Sequence, residues 1–263
     1  LPQTYAPERE FDRGKIARLG DIDIYHEEHG AGAPLVLLHG FGGSVRNWYP
    51  FIEALSKRHR LILVDLRGHG HSTNPVAAFT HRDAAGDVFR LLDTLNVDRF
   101  SAMGMSTGGM TLLHMATSQP GRIASMVLVS ATTHFPEQAR TIMRRASFAT
   151  MPAPVQAMYR ECATRGDRQI ETLIGQFNAL GDDRDDMNFT AGELAAISAR
   201  TLVVHGDRDR FFPVEIAVDL YRGIPDAALW VIPGGEHVPV HDANVHFADT
   251  ALRFFETGNH ARA

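Results

Sequence analysis

The sequence predicts an α/β protein, a doubly wound, mostly parallel sheet with an inserted helical cap, and three observations carry that expectation. Short strand-like runs at 34–39, 61–65, 99–105, 124–130 and from Thr201 onward, the first two continuously apolar, each end in glycine or polar turns. Such runs suit strands buried on both faces. Amphipathic stretches at helical spacing separate them, and strand alternating with helix demands a parallel sheet with helices on both sides. The rhythm lapses once, over 134–198, and then resumes.

In chain order, residues 14–28 predict a hairpin turning at Gly20-Asp21, since Ile22 and Ile24 alternate with polar neighbours. The runs at 34–39 (Pro-Leu-Val-Leu-Leu-His) and 61–65 predict core strands, with a helix between them on the spacing of Trp48, Phe51, Ile52 and Leu55. Val88, Leu91, Leu92 and Leu95 predict a helix over 81–95. The run 99–105 passes directly into a helix over 107–118, and 124–130 predicts the next strand. From 134 to 198 no strand is legible; Ile170, Leu173, Ile174, Phe177 and Leu180 share one helical face, and Ile142, Met143, Met158 and Tyr159 belong to other helix-like stretches. The domain reading is therefore a core in two parts, 1–133 and 199–263, interrupted by a helical cap at 134–198.

A chain of 263 residues buries roughly three-quarters of its unfolded surface and needs no covalent staples. Its single cysteine, Cys162, forbids an intrachain disulfide. A net charge of −5 disfavours nucleic acid or an anionic membrane as partner, because both reward clustered Lys and Arg. No apolar run reaches the length of a membrane span. The chain begins Leu1-Pro2-Gln3 with no visible signal peptide, which leaves a cytoplasmic protein or an exported one whose leader has been removed.

Residues 104–109 read Gly-Met-Ser-Thr-Gly-Gly, where a predicted strand meets a predicted helix. A serine with glycine at both second neighbours is the G-x-S-x-G elbow pattern: the serine takes a strained conformation in a tight turn, and side chains on those neighbours would collide. Residues 201–213 carry a strand run into the acidic loop Gly206-Asp-Arg-Asp209, and 229–239 carry another into Gly234-Gly-Glu-His237. The order is Ser106, then Asp209 or Asp207, then His237, each just past a strand. A serine hydroxyl needs a hydrogen-bonded base to attack at neutral pH, and a histidine oriented by a carboxylate supplies it.

With His39-Gly-Phe-Gly-Gly-Ser44 and Asp65-Leu-Arg-Gly-His-Gly-His-Ser72 added, five motifs in order resemble the α/β-hydrolase superfamily, in its non-haem haloperoxidase and carboxylesterase-like branch, from about Ile24 to about Phe255. The resemblance implies a triad of Ser106, Asp209 and His237, with Asp207 ordering the turn. It also implies an oxyanion hole from the Phe41 and Thr107 amides, a substrate pocket and no cofactor. The expected activity is cleavage of small to medium carboxylic esters by a monomer or homodimer. Carbon–carbon bond hydrolysis and lactone hydrolysis share the triad, and perhydrolysis is a conceivable side activity. Haloalkane dehalogenases and epoxide hydrolases place aspartate where Ser106 stands. A non-catalytic ligand receptor of the same fold is the alternative from another class.

Other residues have plainer readings. Met151 and Phe177 are pocket candidates from the cap, together with Phe148, Met158 and Phe189. Trp48 either lines the pocket or packs its helix. His69 and His71 lack a third metal ligand and sit in a glycine-rich turn. Asp182, Asp183, Asp185 and Asp186 suit a solvated loop better than a calcium site. His114 reads as a satisfied core residue. Glu236 either raises the basicity of His237 or faces solvent.

Overall fold

The computed structural model describes residues 14–257; Leu1-Pro2-Gln3, on which the leader expectation rests, lies outside them. The strands are β1 (Lys15–Arg18), β2 (Asp23–His29), β3 (Ala33–Leu38), β4 (His59–Val64), β5 (Phe100–Met105), β6 (Ile123–Val129), β7 (Arg200–Gly206) and β8 (Ala227–Ile232). They form one sheet in the order β1-β2-β4-β3-β5-β6-β7-β8. The first hairpin, in register Arg18↔Asp23, and the β2–β4 pair are antiparallel. All other pairs are parallel. The helices are α1 (Tyr49–Leu55), α2 (His81–Thr94), α3 (Thr107–Ser118), α4 (Glu137–Arg145), α5 (Ala153–Cys162), α6 (Asp167–Leu180), α7 (Ala191–Ala195), α8 (Val214–Gly223) and α9 (Phe247–Thr257).

Strand side chains alternate between two cores because successive Cβ atoms point to opposite faces. Val36, Leu38, Ile62, Val64, Ala102, Met126, Leu128 and Val203 pack under α2, α3 and α8. Leu35, Leu37, Leu61, Leu63, Met103, Met105, Val127 and Val204 pack under α1 and α9. Two apolar faces explain why the strands read as unbroken hydrophobic runs. With every crossover parallel, β3, β5, β6, β7 and β8 all end at the same edge of the sheet, and the loops leaving them meet there.

Between β6 and β7 the chain forms α4 to α7, and its one strand-like feature among the described residues is the bridge between His134 and Asn188. Polar side chains tie this segment to the sheet domain. Arg165 donates to the carbonyls of Gly68, Gly70 and Ser72, and the Gln169 amide to those of Gly68 and Gly70. Inside the segment, the buried Arg140 donates to the carbonyls of Phe135, Gly181 and Asp183. The acidic run is bonded within the segment and, through the Asp186 carboxylate, to the start of α2. Asp182 pairs with Arg144, Asp183 caps the amides of Asp185 and Asp186, and buried Asp186 accepts from the His81 ring (2.5 Å) and from the His81 and Arg82 amides.

Burial works to raise the Asp186 pKa, but the His81 hydrogen bond and charge and the two amides outweigh it, holding the carboxyl at about 2. A depressed folded-state pKa gives stability that is present above the unfolded value of about 3.9 and lost as pH falls toward 2. Asp186→Asn should therefore cost about 3 kcal/mol near neutral pH, the usual order for breaking a buried pair. The difference from wild type should shrink between about pH 4 and pH 2; urea unfolding across that range measures it, and a constant difference would contradict the assignment.

Candidate active site

Ser106 directly follows β5 with φ 48° and ψ −113°, outside the regions open to ordinary side chains. The neighbouring glycines allow it. A Cβ on Gly104 would lie 2.4 Å from the Gly108 carbonyl carbon, and one on Gly108 would lie 2.2 Å from the Leu38 oxygen. The Ser106 amide is fixed to the Val129 carbonyl at 2.7 Å, and α3 starts at the next residue. The hydroxyl thus stands above the sheet edge beside a helix N-terminus, whose dipole favours developing negative charge.

His237 reaches this hydroxyl from the loop after β8, with Nε2 2.9 Å from Ser106 Oγ. Its Nδ1 donates to Asp209 Oδ2 at 2.7 Å, which leaves the Nε2 lone pair to accept the serine proton. Asp209, buried, receives the Phe211 and Phe212 amides on Oδ1 at 2.7 and 3.1 Å. Burial alone would raise its pKa. The hydrogen bond and charge of His237, with the two amides, bring it below the ordinary carboxylate value. Asp207 turns elsewhere, accepting the Gly234 amide at 2.6 Å. Gly206 explains how the acid and histidine loops come so close, since a Cβ there would sit 2.2 Å from the Gly235 oxygen. Past the histidine, the Val238 amide donates to Ser130 Oγ at 3.1 Å, with both residues in left-handed conformations.

Gly40 lies against Ser106, its Cβ position 3.6 Å from the serine Cβ. Neither the Phe41 nor the Thr107 amide has an acceptor among the described residues. Aromatic rings surround the pair: Phe41 is edge-on to His69 (4.8 Å) and Phe79 (5.4 Å) and tilted on Phe177 (5.1 Å). Phe177 approaches Phe211 at 6.3 Å, and Phe211 and Phe212 lie 5.1 and 5.4 Å from the His237 ring. Met151 packs with Phe41 on the cluster of Tyr159, Ile170, Leu173 and Ile174.

Other sequence expectations land elsewhere. Trp48 is fully buried in the core under α1, edge-on to Phe51 at 5.9 Å, so packing rather than pocket lining describes it. Phe189 rests on His114 at 4.8 Å, outside the aromatic arc. His114 donates to the Asp186 carbonyl. Glu236 is exposed, and the hydrogen-bond partners of the His237 ring are Asp209 and Ser106. His69 is buried and pushed down to about 3 by that burial, while the His71 side chain is exposed; the two do not converge. Among the described residues no three metal-binding side chains come together, and no helix is long and apolar enough to cross a membrane. Sequence reasoning missed Phe211, Phe212, Ser130 and His205. The aromatic pair at 211–212, directly after Asp209, was the available signal for the first two.

A hydroxyl, an imidazole lone pair and a buried carboxylate in one chain can move a proton off the hydroxyl and back. The alpha/beta hydrolase fold family matches residues 33–173. A protein assigned as the carbamate hydrolase RutD of Azorhizobium caulinodans is 28% identical over 236 residues, covering 83% of this chain and 89% of that protein. The 2-hydroxy-6-oxononadienedioate/2-hydroxy-6-oxononatrienedioate hydrolase of Cupriavidus pinatubonensis is 29% identical over 251 residues, covering 81% and 84%. In fold, a hydrolase from Pseudomonas aeruginosa superposes with a TM-score of 0.77 at 23% identity, over 93% of this chain and 98% of the other. The parallel sheet, the elbow at the end of β5 and these matches agree: the chain belongs to the alpha/beta hydrolase fold family and is a hydrolase.

Proposed function

We propose that the protein is a serine hydrolase that cleaves carboxylic esters of small to medium acyl chains through an acyl-enzyme. The observation that carries this reading is the unbroken chain from Ser106 Oγ through His237 to Asp209, at 2.9 and 2.7 Å. Ser106 Oγ attacks the ester carbonyl carbon while His237 Nε2 takes its proton. The oxygen gains negative charge and is received by the Phe41 and Thr107 amides, a pair of donors of the kind whose loss typically costs about 10²–10³-fold in rate. The tetrahedral carbon then expels the alkoxide, which leaves as alcohol with the proton from His237. Water repeats the sequence on the acyl-enzyme, giving a proton to His237; the bond to Ser106 Oγ then breaks, the oxygen takes that proton back, and the acid is released. Asp209 holds the imidazole in the tautomer with hydrogen on Nδ1 and stabilises the imidazolium.

Residues 134–198 act in this reading as a cap that roofs the serine and sets acyl preference. The support is the arc from Phe41 through Phe177 to Phe211, which offers apolar surface. Such a surface favours a neutral acyl group over a charged one, which would lose its hydration against the rings. A panel of p-nitrophenyl esters, lactones and vinylogous diketones tests the substrate class; turnover confined to the diketones would favour carbon–carbon bond hydrolysis on the same triad.

Two outcomes follow from the mechanism. Ser106→Ala and His237→Ala should each lower kcat by about 10⁴–10⁶-fold, and the double variant little further, because base and nucleophile act as a unit. Multiplicative losses would contradict the triad. Phe177→Ala and Met151→Ala should shift the preferred chain length in a profile from acetate to decanoate, each accommodated methylene being worth about 0.8 kcal/mol of burial. Acetate turnover should stay within a few-fold; an unchanged profile in both would remove the cap as the selectivity element.

A further inference from the structure

His205 is a polar residue in the middle of an apolar arrangement. It belongs to β7, is fully buried, and follows Leu202, Val203 and Val204 in a strand that is otherwise core. Its Nε2 lies 2.9 Å from the Phe212 carbonyl oxygen, which fixes the ring proton on Nε2. Its Nδ1 has no partner, a cost that an apolar side chain would avoid. The same Nε2 is 3.7 Å from Asp209 Oδ2, the oxygen that receives His237. Phe212 is thereby gripped at both ends: its amide donates to Asp209 Oδ1 and its carbonyl accepts from His205.

We infer that His205 is a positioning residue for the acid of the site: as a neutral imidazole protonated on Nε2, it ties the 209–212 loop to β7 and sets the plane in which Asp209 meets His237. The inference rests on the serine-hydrolase reading. The groups facing the ring are the Phe212 carbonyl, Asp209 and His237. Burial lowers the His205 pKa further than the Phe212 carbonyl and Asp209 raise it, so the ring stays neutral. Neutrality matters because a cation here would oppose the imidazolium that His237 becomes during turnover. The short reach from a rigid strand matters because small misplacements of catalytic groups are costly.

The test compares wild type, His205→Leu and His205→Gln with p-nitrophenyl acetate across pH, alongside labelling by a serine-directed phosphonate and thermal unfolding. In a folded His205→Leu, kcat should fall about 10–100-fold with KM within a few-fold, the order expected for a misplaced catalytic group. The acid limb of kcat/KM should move to lower pH, because a less well held Asp209 supports the imidazolium less. His205→Gln, which keeps a donor toward Phe212, should recover most of the loss. A folded His205→Leu with unchanged kcat and acid limb overturns the inference. If the leucine variant does not fold, ¹⁵N-histidine NMR of the wild type at about pH 7–8 decides: His205 should be neutral with hydrogen on Nε2 there, and an imidazolium or a proton on Nδ1 overturns it. Wild type that resists the phosphonate overturns the hydrolase reading and this inference together; labelled wild type beside an unaffected leucine variant overturns this inference alone.

Discussion

Backbone passes so close to backbone at two points on the sheet edge that no β-carbon fits, and the candidate site follows from those approaches. At the first, Gly108 crosses the Leu38 carbonyl and Gly104 meets Gly108, which lets β5 turn straight into α3 and leaves Ser106 strained at the tip. At the second, Gly206 meets Gly235, which draws the acid loop against the histidine loop. Residues 131 apart in sequence are thereby in hydrogen-bond contact. Strain at a single residue of this kind is of order 1–3 kcal/mol and persists only where the surroundings over-determine it. Here the Val129 carbonyl, the start of α3 and the buried core beneath β5 do so.

Electrostatics reinforce that geometry. Asp209 keeps its charge despite burial because two amides and an imidazole are aimed at it. Donors fixed in advance need no reorganisation when charge moves, and they act more strongly where aromatic rings keep water away. The Phe41–Phe177–Phe211 arc therefore has two roles in the proposed reaction, as a wall for the acyl group and as a boundary against solvent.

The sequence made the scaffold legible because burial on both faces writes each central strand as an apolar run, and because the elbow, acid and histidine loops carry glycines at fixed offsets. The helix over Thr107–Ser118 and the absence of strands between His134 and Ser198, apart from one bridge, were readable for the same reason. The choice between Asp207 and Asp209 was not readable from the residues alone. Both stand in one loop, and only three-dimensional placement turns one toward the Gly234 amide and the other toward His237. Trp48 shows the converse: helical spacing put it on a buried face but could not tell core from pocket, and the fold places it beneath α1. Ser130 and His205 were silent because their contacts are with distant loops, which no local pattern encodes.

The central claim is that the Ser106 hydroxyl is activated by His237 as a nucleophile, and active-site titration addresses it most directly. Incubation with a serine-directed phosphonate bearing a p-nitrophenol leaving group, followed by intact-mass and peptide analysis, reads both stoichiometry and position. The account predicts release of one equivalent of p-nitrophenol and a single adduct on the peptide containing Ser106, with loss of ester turnover in proportion. No adduct, or an adduct elsewhere that leaves Ser106 unmodified while activity disappears, would contradict it.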